Sequence, residues 1–97
     1  MFDKIRQLKE LRDQAERMKE LLGNESASGE SRGVRIVMNG NQEVLTTEIS
    51  SDLLSPEKKS DLERAVTDAT NEAVKNIHKV IAQKMQESGE FRLPGLL

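Results

Sequence analysis

The sequence contains no cysteine, tryptophan or tyrosine, and only one histidine among its 97 residues. Without cysteine there is neither a disulfide framework nor a thiolate metal site, a composition suited to a reducing interior. His78 alone rules out a two-histidine metal site and, midway along a helical stretch, has no fixed partner to orient it as a base. With Phe2 and Phe91 as the sole aromatics, the core is aliphatic and thin, and there is no platform on which nucleic-acid bases stack. No apolar run approaches the roughly 20 residues that cross a bilayer. Met1-Phe2-Asp3-Lys4 leads into charged helix rather than into the apolar core of a signal peptide, so a soluble, cytoplasmic protein without membrane contact is expected. Gly29, Gly33 and Gly40 lack the spacing of a phosphate loop. The carboxylates Asp61, Glu63, Asp68 and Glu72 read as the solvated face of a helix. Nothing here predicts a catalytic residue, metal, cofactor or small-molecule substrate.

What is present is helical periodicity and charge. From Ser55 to Gln86, Leu62, Ala65, Val66, Ala69, Ala73, Ile77, Val80, Ile81 and Lys84/Met85 recur at steps of three and four, with no Gly or Pro between Pro56 and Gly89. Ser55-Pro56 is a start signal: the serine side chain is placed to accept a first-turn N–H, and proline at the first position loses nothing by lacking its own. A helix over 55–87 is about 45 Å long at 1.5 Å per residue. A domain of this size is only about 25–30 Å across, so part of that rod must meet a second chain.

A first helix over 1–23 carries Leu8, Leu11, Ala15, Met18 and Leu22 at steps of 3, 4, 3 and 4, a coiled-coil seam that ends at Gly23-Asn24. Lys9 with Asp13, Asp13 with Arg17, Arg12 with Glu16 and Glu16 with Lys19 are spaced to pair along it. Residues 25–50 read as a small sheet. Glu25 to Gly33 is a polar connector whose Ser26-Ala27-Ser28 can form a short edge strand. Val34, Ile36 and Met38 then alternate with Arg35, Val37 and Asn39, Asn39-Gly40-Asn41 signals a hairpin through its tolerance of positive φ, and a further strand places Leu45, Thr47 and Ile49 on one face. So small a sheet needs helices over one face. Ser50-Ser51-Asp52 is a turn, and Leu53-Leu54 pins the entry to the long helix. Residues 88–97, with Pro94 and Gly95, form a short apolar tail rather than a helix.

The net charge of −2 conceals a gradient. Up to Asn24, Lys4, Arg6, Lys9, Arg12, Arg17 and Lys19 outnumber the acids by one, and from Ala73 to Gln86, Lys75, Lys79 and Lys84 meet no acid at all. Cations also favour a helix C-terminus through the macrodipole, so this charge has a structural reading beside a binding one.

Several stretches, in order, resemble the bacterial YbaB/EbfC family. They are Met1-Phe2-Asp3-Lys4, Gln14-Ala15-Glu16-Arg17-Met18, Gly29-Glu30-Ser31, and Val34-Arg35-Ile36-Val37-Met38-Asn39-Gly40. They continue with Glu48-Ile49, Asp52-Leu53-Leu54, Asn71-Glu72-Ala73 and Leu93-Pro94-Gly95-Leu96. The resemblance implies one α+β domain of α-β-β-β-α protomers with a small antiparallel sheet. It further implies an intertwined, tweezers-like homodimer and a nucleoid-associated protein that binds duplex DNA with little sequence preference. Two departures leave the first strand's length open: Ser26-Ala27-Ser28 stands where a more β-branched strand is usual, and Ser31-Arg32-Gly33 is a shorter turn than the usual Gly-rich loop.

On this basis the candidate DNA contacts are Lys4, Lys9, Arg12, Lys75, Lys79 and Lys84, doubled by two-fold symmetry and directed at phosphates. The candidate dimer seam is Leu8, Leu11, Ala15, Met18, Leu22, Ile77 and Ile81. The rival reading is an adaptor whose helical seams recruit recombination or replication proteins.

Overall fold

The computed structural model describes residues 2–88; the tail from Gly89 onward lies outside the described residues. Helix α1 (Phe2–Gly23) leads into strands β1 (Ser26–Ser31), β2 (Val34–Asn39) and β3 (Val44–Ile49), which form one antiparallel sheet in the order β1-β2-β3. Two 3-10 turns, Ser51–Leu53 and Pro56–Lys58, precede helix α2 (Lys59–Ser88). This is the α-β-β-β-α order that the resemblance implies.

Strand β2 is the centre of the core. Val34, Ile36 and Met38 point alternately to one face and are buried there against Ala65, Ala69, Ala73 and Ile77, one residue per turn of α2. The alanine ladder lets the helix lie close to the strands. Nearest of all is Gly29 on β1, where an added Cβ would collide with the Ala69 carbonyl and the Ala73 backbone. That close approach explains why the whole of Ser26–Ser31 is strand rather than a polar connector with an optional short edge. Its pairing with β2 runs unbroken from Ser26–Asn39 to Ser31–Val34, and Asn76 Nδ2 donates to the outward Ser28 carbonyl at 2.8 Å, covering that edge. Weak side-chain propensity is overridden by backbone packing. The two residues left between β1 and β2, Arg32 (φ 50°) and Gly33 (φ 100°), form a positive-φ turn whose twist suits a hairpin.

The opposite sheet face is polar. Arg35 lies in register with a glutamate on each neighbour and bonds both, Glu30 at 3.2 Å and Glu48 at 3.4 Å. A bulge between Val37 and Met38 shifts β3, setting Val44 rather than Leu45 opposite Met38, with Thr47 opposite Ile36 and Ile49 opposite Val34. All of β3 is exposed, because α2 packs on β1 and β2. Two helices were expected over the sheet, and only one covers it.

Several local expectations are revised. The positive φ of the β2–β3 loop falls on Gln42 (62°), not on Asn39, Gly40 or Asn41. Ser55 makes no side-chain cap. Its carbonyl instead accepts from Lys58 N–H at 2.9 Å, because the proline at the next position tightens the first turn to 3-10 geometry. Ser50 caps the preceding turn, its hydroxyl accepting from Asp52 N–H at 3.4 Å. Of the leucine pair, Leu53 is buried and Leu54 is exposed.

Helix α1 buries none of its residues. Only Gln14, Met18, Leu21 and Leu22 are half-buried, and the rest of its length, about 33 Å in all, stands away from the sheet. The principal extents are therefore 65 × 25 × 20 Å with a radius of gyration of 18.5 Å, against about 13 Å for a compact chain of this length.

Candidate nucleic-acid interface

Most helical stability in proteins comes from packing an apolar face against something else, so what α1 exposes is informative. Along one side, Ile5, Leu8 and Leu11 are each more than 60% exposed, and Ala15 is exposed too. Phe2 at the tip is 85% exposed. Met18 and Leu22 continue the stripe to the base, where they are half-buried. These residues line one side of the helix as an apolar stripe, and Ile5 belongs to it although the spacing did not include it.

The cations of α1 are largely uncompensated. Of the four ion pairs that spacing predicted, Arg12–Glu16 forms, at 3.5 Å with both side chains well exposed. Lys4, Arg6, Lys9, Arg17 and Lys19 are exposed and make no ion pair among the described residues. Lys4 falls one step before Leu8 in the seam spacing, so it sits at the edge of the apolar stripe, whereas Lys9 and Arg12 flank it.

On α2 the cationic cluster is smaller than the sequence suggested. Lys75 and Lys79 are exposed one turn apart on the side turned from the sheet. Lys84 is different: it is half-buried and its Nζ pairs with Glu25 Oε1 at 3.3 Å, tying the end of α2 to the start of β1. Its charge is spent on that strut. Ile77 is also displaced from its expected role, being 0% exposed inside the protomer and so presenting nothing to a second copy. Ile81 is half-buried against the same core.

His78 does have a partner. Gln42 Nε2 and His78 Nε2 lie 2.6 Å apart, a hydrogen bond that latches the β2–β3 loop to α2. The pair is 36 residues apart in sequence, so no spacing rule reveals it. Arg32, at the exposed tip of the first hairpin, is a further cation without an ion pair among the described residues, and the charge-run reading passed over it. A shallow depression beside it is lined by Glu30, Arg35, Glu48 and Ser50, with Arg35 already shared between the two glutamates.

Among the described residues no group of three or more His, Asp or Glu side chains is placed to hold a metal ion. Among the described residues no helix is long and apolar enough to cross a membrane. The arrangement offers cations on a projecting helix and a free apolar stripe beside them.

Comparison with known proteins identifies relatives along nearly the whole chain. Residues 1–90 match the family described as the YbaB/EbfC DNA-binding family. A nucleoid-associated protein of Pelotomaculum thermopropionicum is 31% identical over 99 residues, covering 99% of this chain and 94% of that protein. Another, of Hahella chejuensis, is 37% identical over 87 residues, covering 88% and 80%. The crystal structure of an uncharacterized protein from Helicobacter pylori superposes with a TM-score of 0.61 over 84% of each chain at 18% identity, a likeness of fold.

Proposed function

The chain belongs to the YbaB/EbfC DNA-binding family, and from that membership we propose that it binds duplex DNA as a homodimer, through phosphate contacts with little sequence preference, on the bacterial nucleoid. The observation that carries the proposal is the α1 arm, a helix with no buried residue that bears five cations without an ion pair among the described residues, beside an exposed apolar stripe. A second copy of the chain covers the stripe. Each large apolar side chain that is fully buried contributes about 1.5–3 kcal/mol. Covering Ile5, Leu8 and Leu11 on both copies therefore offsets an association cost of roughly 4–15 kcal/mol.

Pairing also doubles the cations. Lys4, Lys9 and Arg12 on each arm, with Arg6, Arg17 and Lys19, form the grip, and Lys75 and Lys79 add a second cationic site. With no aromatic platform and no groove-reading element, phosphates are the target, and binding places the protein in chromosome organisation or gene regulation.

The test combines light scattering with gel shifts on two unrelated duplexes of equal length. The expected result is a dimer mass and equal retention of both duplexes at low salt. A stable monomer, or no retention at low salt, refutes the reading. The same apolar stripe supports a second reading, an adaptor for recombination or replication factors. A partner captured from nuclease-treated lysate by a protein that retains no DNA would favour it.

A further inference from the structure

The base of the arm is held by a loop from elsewhere in the chain. The last carbonyls of a helix have no partner within it, and the usual remedy is a local cap. Here Asn24 N–H donates to Leu21 O at 3.3 Å and Glu25 N–H to Leu22 O at 3.1 Å, and the β2–β3 loop supplies two further donors. Gly40 N–H donates to Leu22 O at 2.9 Å, and Asn41 Nδ2 donates to Lys19 O at 3.0 Å. Only glycine fits at position 40, since a Cβ there would strike the Leu22 carbonyl and side chain.

The loop itself is braced. Buried Asn39 accepts through Oδ1 from Asn41 N–H at 2.9 Å and from Glu43 N–H at 3.0 Å, and its Nδ2 donates to Glu43 Oε1 at 3.0 Å. The next residue, Gln42, holds a positive φ of 62° and bonds His78 on α2. Gly40 and Asn41 thus grip α1 while Gln42 grips α2. Within one chain α1 buries none of its residues, so these bonds are among the restraints that the chain itself places on its direction.

We propose that the 40–43 loop is the clamp that sets the angle of the α1 arm relative to α2, making Gly40, Asn41 and Gln42 positioning residues for DNA binding. The functional half rests on the DNA-binding reading; the geometric half does not. A loosened arm spends its time across many orientations, so fewer of its cations meet phosphates at once and affinity falls.

The absence of cysteine makes the test direct. Spin labels on Glu10→Cys in α1 and Glu72→Cys in α2, both exposed sites, report the arm angle within one chain when the labelled protein is diluted with unlabelled protein. Asn41→Leu keeps the side-chain bulk and the charge but removes the donor. It is expected to broaden the distance distribution and weaken DNA binding roughly fivefold to tenfold, the scale of one or two lost hydrogen bonds, with Asn41→Gln restoring both. Gln42→Leu, at an exposed residue, repeats the comparison should Asn41→Leu not fold. A distribution unchanged in both leucine variants overturns the clamp, and a broadened distribution with unchanged affinity overturns its role in binding. Failure of the wild-type protein to retain DNA refutes the binding reading instead, and the distance comparison still decides the clamp.

Discussion

Single residues set the closest approaches in this chain. Gly29 is where helix meets strand backbone to backbone. Gly29→Ala is expected to force α2 away from β1 and to cost about 1–3 kcal/mol, the usual penalty of overpacking. For a domain of this size that lowers the melting temperature by roughly 4–8 °C per kcal/mol, read by thermal unfolding. The lysines of α2 divide by the same kind of local fact. Lys84→Ala removes a strut to Glu25, with an expected stability loss of at most about 1 kcal/mol and little change in DNA affinity. Lys75→Ala with Lys79→Ala leaves the melting temperature unchanged and weakens binding equally on unrelated duplexes. If Lys84→Ala proves the more damaging to binding, that assignment is reversed. From sequence the three lysines look alike, because spacing reports which residues share a helix and not that a glutamate 59 positions earlier lies against one of them.

At the scale of elements, the two helices have the same kind of apolar periodicity and opposite fates. In α2 it faces the chain's own sheet. Ile77→Ala therefore leaves a cavity and is expected to cost about 2–5 kcal/mol in denaturant unfolding. In α1 it faces outward. Leu8→Glu with Leu11→Glu disturbs no contact of the core, so the sheet and α2 are expected to remain folded while the mass by light scattering halves. Persistence of the dimer in that variant would remove α1 from the interface. Both helices were legible from their spacing, as were β2 and β3 from alternation and the turn residues between them. Strand β1 was not, because Ser-Ala-Ser-Gly-Glu-Ser carries no pattern that demands a strand. Its pairing comes from β2 beside it and from an alanine ladder about 40 residues later.

At the scale of the whole molecule, the weak overall charge of −2 makes DNA binding a matter of where cations stand. Binding by phosphate neutralisation predicts that the logarithm of affinity falls linearly with the logarithm of salt concentration, by about 0.9 for each phosphate contact. Removing Lys75 and Lys79 is expected to shallow that slope by the contacts they make, measured by gel shift or anisotropy across a salt series. A slope near zero would contradict a grip built on phosphates.

The order of elements, the aliphatic core on β2 and α2, the apolar spacing of the first helix and the resemblance to a DNA-binding family were all readable from the chain, because each rests on local periodicity or on short motifs in order. The length of β1, the pairing of Lys84, the burial of Ile77 and the bonds from the β2–β3 loop to α1 were decided only by the folded structure. Each depends on residues far apart in sequence meeting at distances of a few ångströms, and hydrogen bonding, steric exclusion and charge pairing act only at that range.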